Sequence, residues 1–255
     1  MTAKDLLRGL IRRCGLDVVR YPPVDRKALP ADIDPAAASI IARVLPYTMT
    51  SPERLYALIQ GIRYVSRSGI PGDIVECGVW RGGSMMAVAL TLLECGDGQR
   101  HLYLFDTYEG MTPPTERDMT FDGHAARSLL DAGRKLEADS AWCYAGIDEV
   151  RAAMLSTGYD IARTHFVAGD VEQTIPGVVP EQISLLRLDT DWYESTRHEL
   201  RHLYPRLIRG GVLIIDDYGH WKGARQAVDE YLAETGAKLL LNRIDYTGRA
   251  AVKTE

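Results

Sequence analysis

Leu55, Leu58, Ile59, Ile62 and Val65 recur at three- and four-residue intervals between Pro52 and Gly69, the spacing that gathers apolar side chains on one face of a helix. Thr50 or Ser51 can cap its start and Pro52 suits the first turn, so the pattern predicts an amphipathic helix over 52–68. Beyond Gly69 the period alternates. Apolar runs at 73–79, 101–107, 164–170, 183–191, 212–218 and 238–244 read as strands, and helical patterns at 83–95, 124–138, 147–158, 195–208 and 222–235 lie among them. This alternation predicts an α/β fold built on a mostly parallel sheet with right-handed crossovers. Gly210–Gly211 reads as a turn before the fifth strand. Thr247–Gly248 reads as a hairpin turn, which makes the last strand, 247–254, antiparallel.

Ahead of this pattern, residues 1–20 carry apolar positions at helical spacing and predict a short amphipathic helix. Pro22, Pro23, Pro30 and Pro35 make 20–36 an arm. Residues 1–44 are therefore expected to form an N-terminal arm and helix, and 45–255 the main domain. The segment 109–123, EGMTPPTERDMTFDG, is too long and polar for a routine connection and suggests a mobile lid over a site.

Composition narrows the function. With 255 residues, 46% hydrophobic and 25% charged, the chain is of ordinary globular type. A net charge of −5 gives no basic footprint for nucleic acid or an anionic membrane, which leaves small-molecule chemistry. Charges interrupt the first 20 residues too often for a signal peptide or membrane span. Cys14, Cys77, Cys95 and Cys143 show no CxxC spacing, so a reducing cytoplasm is the expected location.

The chemistry sits at strand ends. Asp189 and Asp191 in LLRLDTDWYEST, and Asp216 and Asp217 in GGVLIIDDYGHW, close two consecutive strands. Parallel strands deliver their carboxyl ends to one crevice, and clustered carboxylate oxygens suit a hard cation such as Mg²⁺. Residues 76–84, ECGVWRGGS, join the first strand to a helix with E-x-G-x-x-x-G spacing rather than the G-x-G-x-x-G of dinucleotide folds. Glu76 would repel a pyrophosphate, whereas a ligand carrying an ammonium and a carboxylate could use Glu76 and the helix start. Asp106 ends the second strand, where it can accept from ribose hydroxyls, and Asp170 ends the third, where it can accept from an exocyclic amine. A nucleoside joined to an amino acid, S-adenosylmethionine, meets these demands together. His198-Glu199-Leu200-Arg201-His202 satisfies the zinc-peptidase signature H-E-x-x-H, but a helix packed on a sheet, with no evident third ligand, argues against that chemistry. A nicotinamide oxidoreductase is the stronger rival from fold alone.

VECGVWRGGSMMA, LYLFDTYEGM, LRLDTDWYEST and IIDDYGHWKGARQAVDEY closely resemble the macrocin O-methyltransferase family, whose members methylate deoxysugar hydroxyls of antibiotics such as macrolides and aminocoumarins. The resemblance runs from about residue 45 to the C-terminus. It implies a Rossmann-like class I methyltransferase with a seven-stranded sheet and helices on both faces, acting on a glycosylated small molecule and assembling as a homo-oligomer. S-adenosylmethionine would lie against Glu76, Cys77, Gly78, Val79, Ser84, Asp106, Thr107 and Asp170, with Met49 and Thr50 near its sulfonium or carboxylate. Mg²⁺ would be held at Asp189, Asp216 and Asp217. Arg187, Asp189 and Asp191 alternate along a strand and can share one side, which makes Asp191 the expected general base. His220, with an ordinary pKa near 6.5, is its competitor, and Arg187 is a candidate partner for the acids. Adjacent Asp216 and Asp217 can ligate jointly only if the backbone turns there, which Gly219 permits.

Overall fold

A computed structural model describes residues 29–137 and 140–255; the helix expected over 1–20 and most of the arm lie outside that range. Residues 33–255 form the compact unit that carries the sheet. Its first helix, α1 (Pro35–Val44), is capped by Asp34, whose carboxylate accepts from Ala37 N at 3.0 Å. Ala37, Ile40, Ile41 and Val44 are buried, and α1 packs on α2 (Pro52–Arg67) and α3 (Gly83–Glu94). Residues 33–44, expected within the N-terminal arm and helix, thus belong to the unit that carries the sheet; Pro35, counted toward the arm, starts a helix rather than preventing one. Buried Arg63 of α2 bridges Asp34 (2.6 Å) and Glu94 (2.8 Å), tying the three helices together. Helix α2 follows its sequence pattern closely, with Ser51 as cap and the expected apolar stripe buried.

The strands are β1 (Asp73–Cys77), β2 (Leu102–Asp106), β3 (Thr164–Ala168), β4 (Ile183–Leu188), β5 (Leu207–Ile215), β6 (Asn242–Arg243) and β7 (Arg249–Val252). They form one seven-stranded sheet in the order β3-β2-β1-β4-β5-β7-β6. β1 to β5 are parallel, and β7 runs antiparallel to both β5 and β6. The chain works outward from β1 through β2 to β3, then returns to lay β4 on the other side of β1. That reversal opens a crevice at the carboxyl ends of β1 and β4. Four further helices complete the crossovers: α4 (Ala126–Ala132), α5 (Ile147–Ser156), the single-turn α6 (Val171–Thr174) and α7 (Tyr193–Leu203); α8 (Lys222–Thr235) packs on α7.

Several boundaries differ from the sequence pattern. Gly210–Gly211 is no turn but lies within β5, where Gly210 takes φ +85° and the register against β4 shifts between Ile183 and Leu185; a bulge absorbs the extra residues. The strand expected over 238–244 shrinks to Asn242–Arg243, because Leu239 and Leu241 pack on the core without joining the ladder. The helix expected over 124–138 stops at Ala132. Segment 109–123 is pinned at Asp118, which is 1% exposed and accepts from Thr115 N (2.7 Å) and from Tyr193 N at the start of α7 (2.8 Å). Its end pairs through Thr120 with Trp221, and its Gly110, Met111 and Thr112 line the crevice.

Candidate active site

The carboxyl ends of β1, β2, β4 and β5, together with residues 48–50 ahead of α2, enclose a cavity of about 330 Å³. Met49, Thr50, Gly78, Val79, Ser84, Asp106, Thr107 and Asp170 are among the residues that line it, together with Asp189, Asp191, Asp216, Asp217 and His220. Glu76 and Cys77 do not line it. Both lie within β1, where successive side chains enter the packed faces of the sheet; Cys77 is 0% and Glu76 1% exposed.

At the β1 end, Gly78 has φ +82°, and a Cβ there would stand 1.9 Å from the Asp189 carbonyl oxygen. Only glycine permits that approach. Gly82 precedes α3 without any side-chain cap, leaving first-turn N–H groups with their partial positive charge for an anionic ligand. Asp106 accepts from Val79 N (2.7 Å), Trp80 N (2.9 Å) and Tyr108 N (2.8 Å). Its carboxylate therefore holds the glycine loop in shape in addition to facing the cavity; burial pushes its pKa up and the backbone donors oppose that. Thr107 donates to the Gly110 carbonyl at 2.6 Å. Asp170 caps α6, accepting from Glu172 N at 2.9 Å.

The acidic end is built around Arg187. Its guanidinium, 2% exposed, pairs with Glu76, with Asp189 at 2.7 Å and with Asp216 at 2.6 Å, and donates to Thr50 Oγ1 at 3.0 Å. β4 ends at Leu188 and Asp191 has φ +67°, so the strand alternation does not continue, yet Asp189 and Asp191 still reach the cavity. β5 ends at Ile215, and the His220 and Trp221 amides fold back onto the Asp217 carbonyl at 3.0 Å. That turn lets neighbouring Asp216 and Asp217 converge. Gly219 enables it through close packing, because a Cβ there would lie 2.0 Å from the Tyr246 carbonyl oxygen. Asp189, Asp216 and Asp217 each present an oxygen within 4.8 Å of the others.

Burial, then the Asp189 charge, pushes Asp191 up to about 7. Burial, then Asp191, raises Asp217 well above the usual carboxylate range. Burial likewise holds Glu76 at about 8 despite Arg187 beside it. The crowded acids exceed the positive charge supplied by the protein, and their hard oxygens fit a divalent cation. His220 lines the same cavity; burial lowers its pKa, and its Nδ1 has no hydrogen-bond partner among the described residues.

Arg54 escaped the sequence reasoning. It lines the cavity, pairs with Asp216 and reaches Asp245 at 3.0 Å. A signal existed: a cation in the first turn of α2 opposes the helix dipole, which calls for an acidic partner. In H-E-x-x-H, Glu199 is 0% exposed and accepts from Thr190 Oγ1 at 2.9 Å, while His198 faces the Ile175 carbonyl at 2.9 Å. The motif is spent on packing and on the 189–191 turn.

Residues 29–252 match the family described as Macrocin-O-methyltransferase (TylF). The chain belongs to the macrocin O-methyltransferase family. Among its relatives is the 8-demethyl-8-(2,3-dimethoxy-alpha-L-rhamnosyl)-tetracenomycin-C 4'-O-methyltransferase of Streptomyces olivaceus, 32% identical over 96% of this chain and 92% of that protein. Demethyldecarbamoylnovobiocin O-methyltransferase of Streptomyces niveus is 30% identical over 79% of this chain and 74% of its own length. The O-methyltransferase NovP has a similar structure, with a TM-score of 0.69, 30% identity and coverage of 82% of this chain and 83% of that one. The protein is thus an S-adenosylmethionine-dependent O-methyltransferase with the class I fold, of a kind used in antibiotic biosynthesis. The oxidoreductase alternative falls with that membership. No helix among the described residues is long and apolar enough to cross a membrane.

Proposed function

We propose that this macrocin-type O-methyltransferase methylates a sugar hydroxyl of a glycosylated natural product with the help of Mg²⁺. The observation that carries the reading is the convergence of Asp189, Asp216 and Asp217 in the cavity that also holds the Gly78–Ser84 loop. Bound there, S-adenosylmethionine supplies an electrophilic methyl group and Mg²⁺ a Lewis acid for the acceptor oxygens. The need for the latter is large. A hydroxyl with a pKa near that of water, roughly 15.7, costs on the order of 11–12 kcal/mol to ionise at neutral pH, at about 1.36 kcal/mol per unit.

The protein's own groups divide the remaining work. The capless start of α3 and Ser84 receive the donor's carboxylate, Thr50 and Met49 close over it, and Asp106 keeps the loop at Val79 and Trp80 in shape. Asp189, Asp216 and Asp217 hold the cation; Arg187 and Arg54 on Asp216 leave room for this, since each carboxylate oxygen has more than one accepting direction. Asp191, beside Asp217, takes the acceptor proton at its carboxylate. His220 is the second candidate for that proton. Cytoplasmic residence and a homo-oligomeric state complete the expectation.

The test pairs calorimetry with product analysis. Asp217→Asn should abolish Mg²⁺ binding while S-adenosylhomocysteine still binds, and wild-type enzyme should methylate members of a panel of glycosylated natural products only with Mg²⁺ present. Full methyl transfer by Asp217→Asn in EDTA would sink the cation reading.

A further inference from the structure

Phe121 and Tyr246 stand beside the cavity with 59% and 54% of their surfaces exposed, and Met49 on its lining is 55% exposed. Side chains this large and apolar are seldom left uncovered together without a purpose. Phe121, His220 and Tyr246 meet edge to face, with ring centroids 5.9 Å, 6.0 Å and 6.5 Å apart, although they come from three separate parts of the chain. The grouping is built in. Phe121 N donates to the His220 carbonyl at 2.8 Å, and Gly219 packs directly on the Tyr246 carbonyl. His220 and Tyr246 line the cavity, so the collar is continuous with the proposed sugar site.

The charge below the collar limits what it can hold. Six aspartates line the cavity, and the cations beside them are already committed, Arg54 to Asp216 and Asp245 and Arg187 to Glu76, Asp189 and Asp216. A sugar carried on a nucleoside diphosphate would bring more negative charge to this acidic mouth, whereas a sugar carried on an apolar ring would lay that ring on aromatic edges and faces. We infer that Phe121 and Tyr246, with His220 between them, are specificity-determining residues that bind the apolar ring system borne by the acceptor sugar. This rests on the sugar acceptor proposed above.

The probes are p-nitrophenyl α-L-rhamnoside, methyl α-L-rhamnoside, thymidine diphosphate-rhamnose and p-nitrophenol, titrated calorimetrically into enzyme saturated with S-adenosylhomocysteine. Wild type should favour the aryl over the methyl glycoside by roughly tenfold, the scale of one good aromatic contact, and bind the nucleotide sugar least. In Phe121→Ala and Tyr246→Ala the aryl-to-methyl ratio should fall toward one, with Phe121→Leu and Tyr246→Leu intermediate; thermal melting verifies that each variant folds. An unchanged ratio in the alanine variants, equal wild-type affinity for both glycosides, or preference for the nucleotide sugar overturns the collar and leaves the sugar reading standing. Binding of p-nitrophenol, weakened by the alanine variants, without either glycoside supports the collar and removes the sugar; binding of none of the four overturns both.

Discussion

Replacing Arg187 with methionine keeps most of the side chain's volume and deletes the charge on which the acidic end is organised. Arg187 is 2% exposed, and its partners Glu76 and Asp216 are 1% and 3% exposed. Removing one member of such a buried network costs on the order of 3–5 kcal/mol: Asp216 is left with Arg54 alone, and Glu76 loses the guanidinium that opposes its desolvation. At roughly 2–4 °C per kcal/mol for a chain of this size, the variant should melt roughly 6–20 °C below wild type. The deficit should also depend on pH. Glu76 is held at about 8, above its ordinary 4.5, so its contribution to stability is complete below the ordinary value and drains away as pH rises toward 8. Above 8 the wild-type residue ionises against Arg187 and the loss levels off. Without Arg187 the folded pKa rises further and the loss continues, widening the gap by up to about 1.4 kcal/mol per pH unit. Urea titrations at pH 7 and pH 9 read this directly. A deficit under about 1 kcal/mol, or one that narrows at pH 9, would refute the reasoning.

Three further substitutions probe other parts of the site. Gly78→Ala forces a side chain into φ +82° and against the Asp189 carbonyl, and should cost at least about 2 kcal/mol and weaken S-adenosylhomocysteine binding; calorimetry with undiminished affinity would contradict this. Glu199→Gln should change stability by less than about 1 kcal/mol, because burial pushes that carboxyl well above its ordinary range, toward the neutral form an amide imitates, and the amide oxygen can still accept from Thr190, whereas Glu199→Leu strands the Thr190 hydroxyl at about 1–3 kcal/mol; equal losses in denaturant titrations would refute the distinction. Ser51→Ala removes the cap of α2 and a 2.8 Å bond to Asp245, and should cost about 1 kcal/mol, read as a melting shift of roughly 2–4 °C.

The elements legible in the sequence were those whose pattern comes from a single local cause. α2 declares itself through its cap, its proline and its apolar stripe, and the aspartates stand out because each interrupts an apolar run. Their convergence followed from sheet topology, since β4 and β5 are adjacent and parallel. What escaped depends on contacts between distant segments. α1 begins at a proline inside a proline-rich stretch, and nothing local shows that its face meets α2 and α3. Gly210–Gly211 reads as a turn because only the partner strand reveals the bulge. Asp106 was legible as a cavity residue, but its grip on the Val79 and Trp80 amides was not. Phe121, His220 and Tyr246 lie far apart in the chain and share no periodicity, so only the folded structure brings their rings together.

Arg54 joins three addresses in the chain: the start of α2, the end of β5 through Asp216, and the turn before β7 through Asp245. Anyone transplanting the 244–248 turn from a relative to redirect acceptor choice would therefore also be rewiring the clasp at the opposite wall. Such a graft should travel with residues 51–54 as a set, and libraries that vary either segment alone will sample mismatched halves of one fastening.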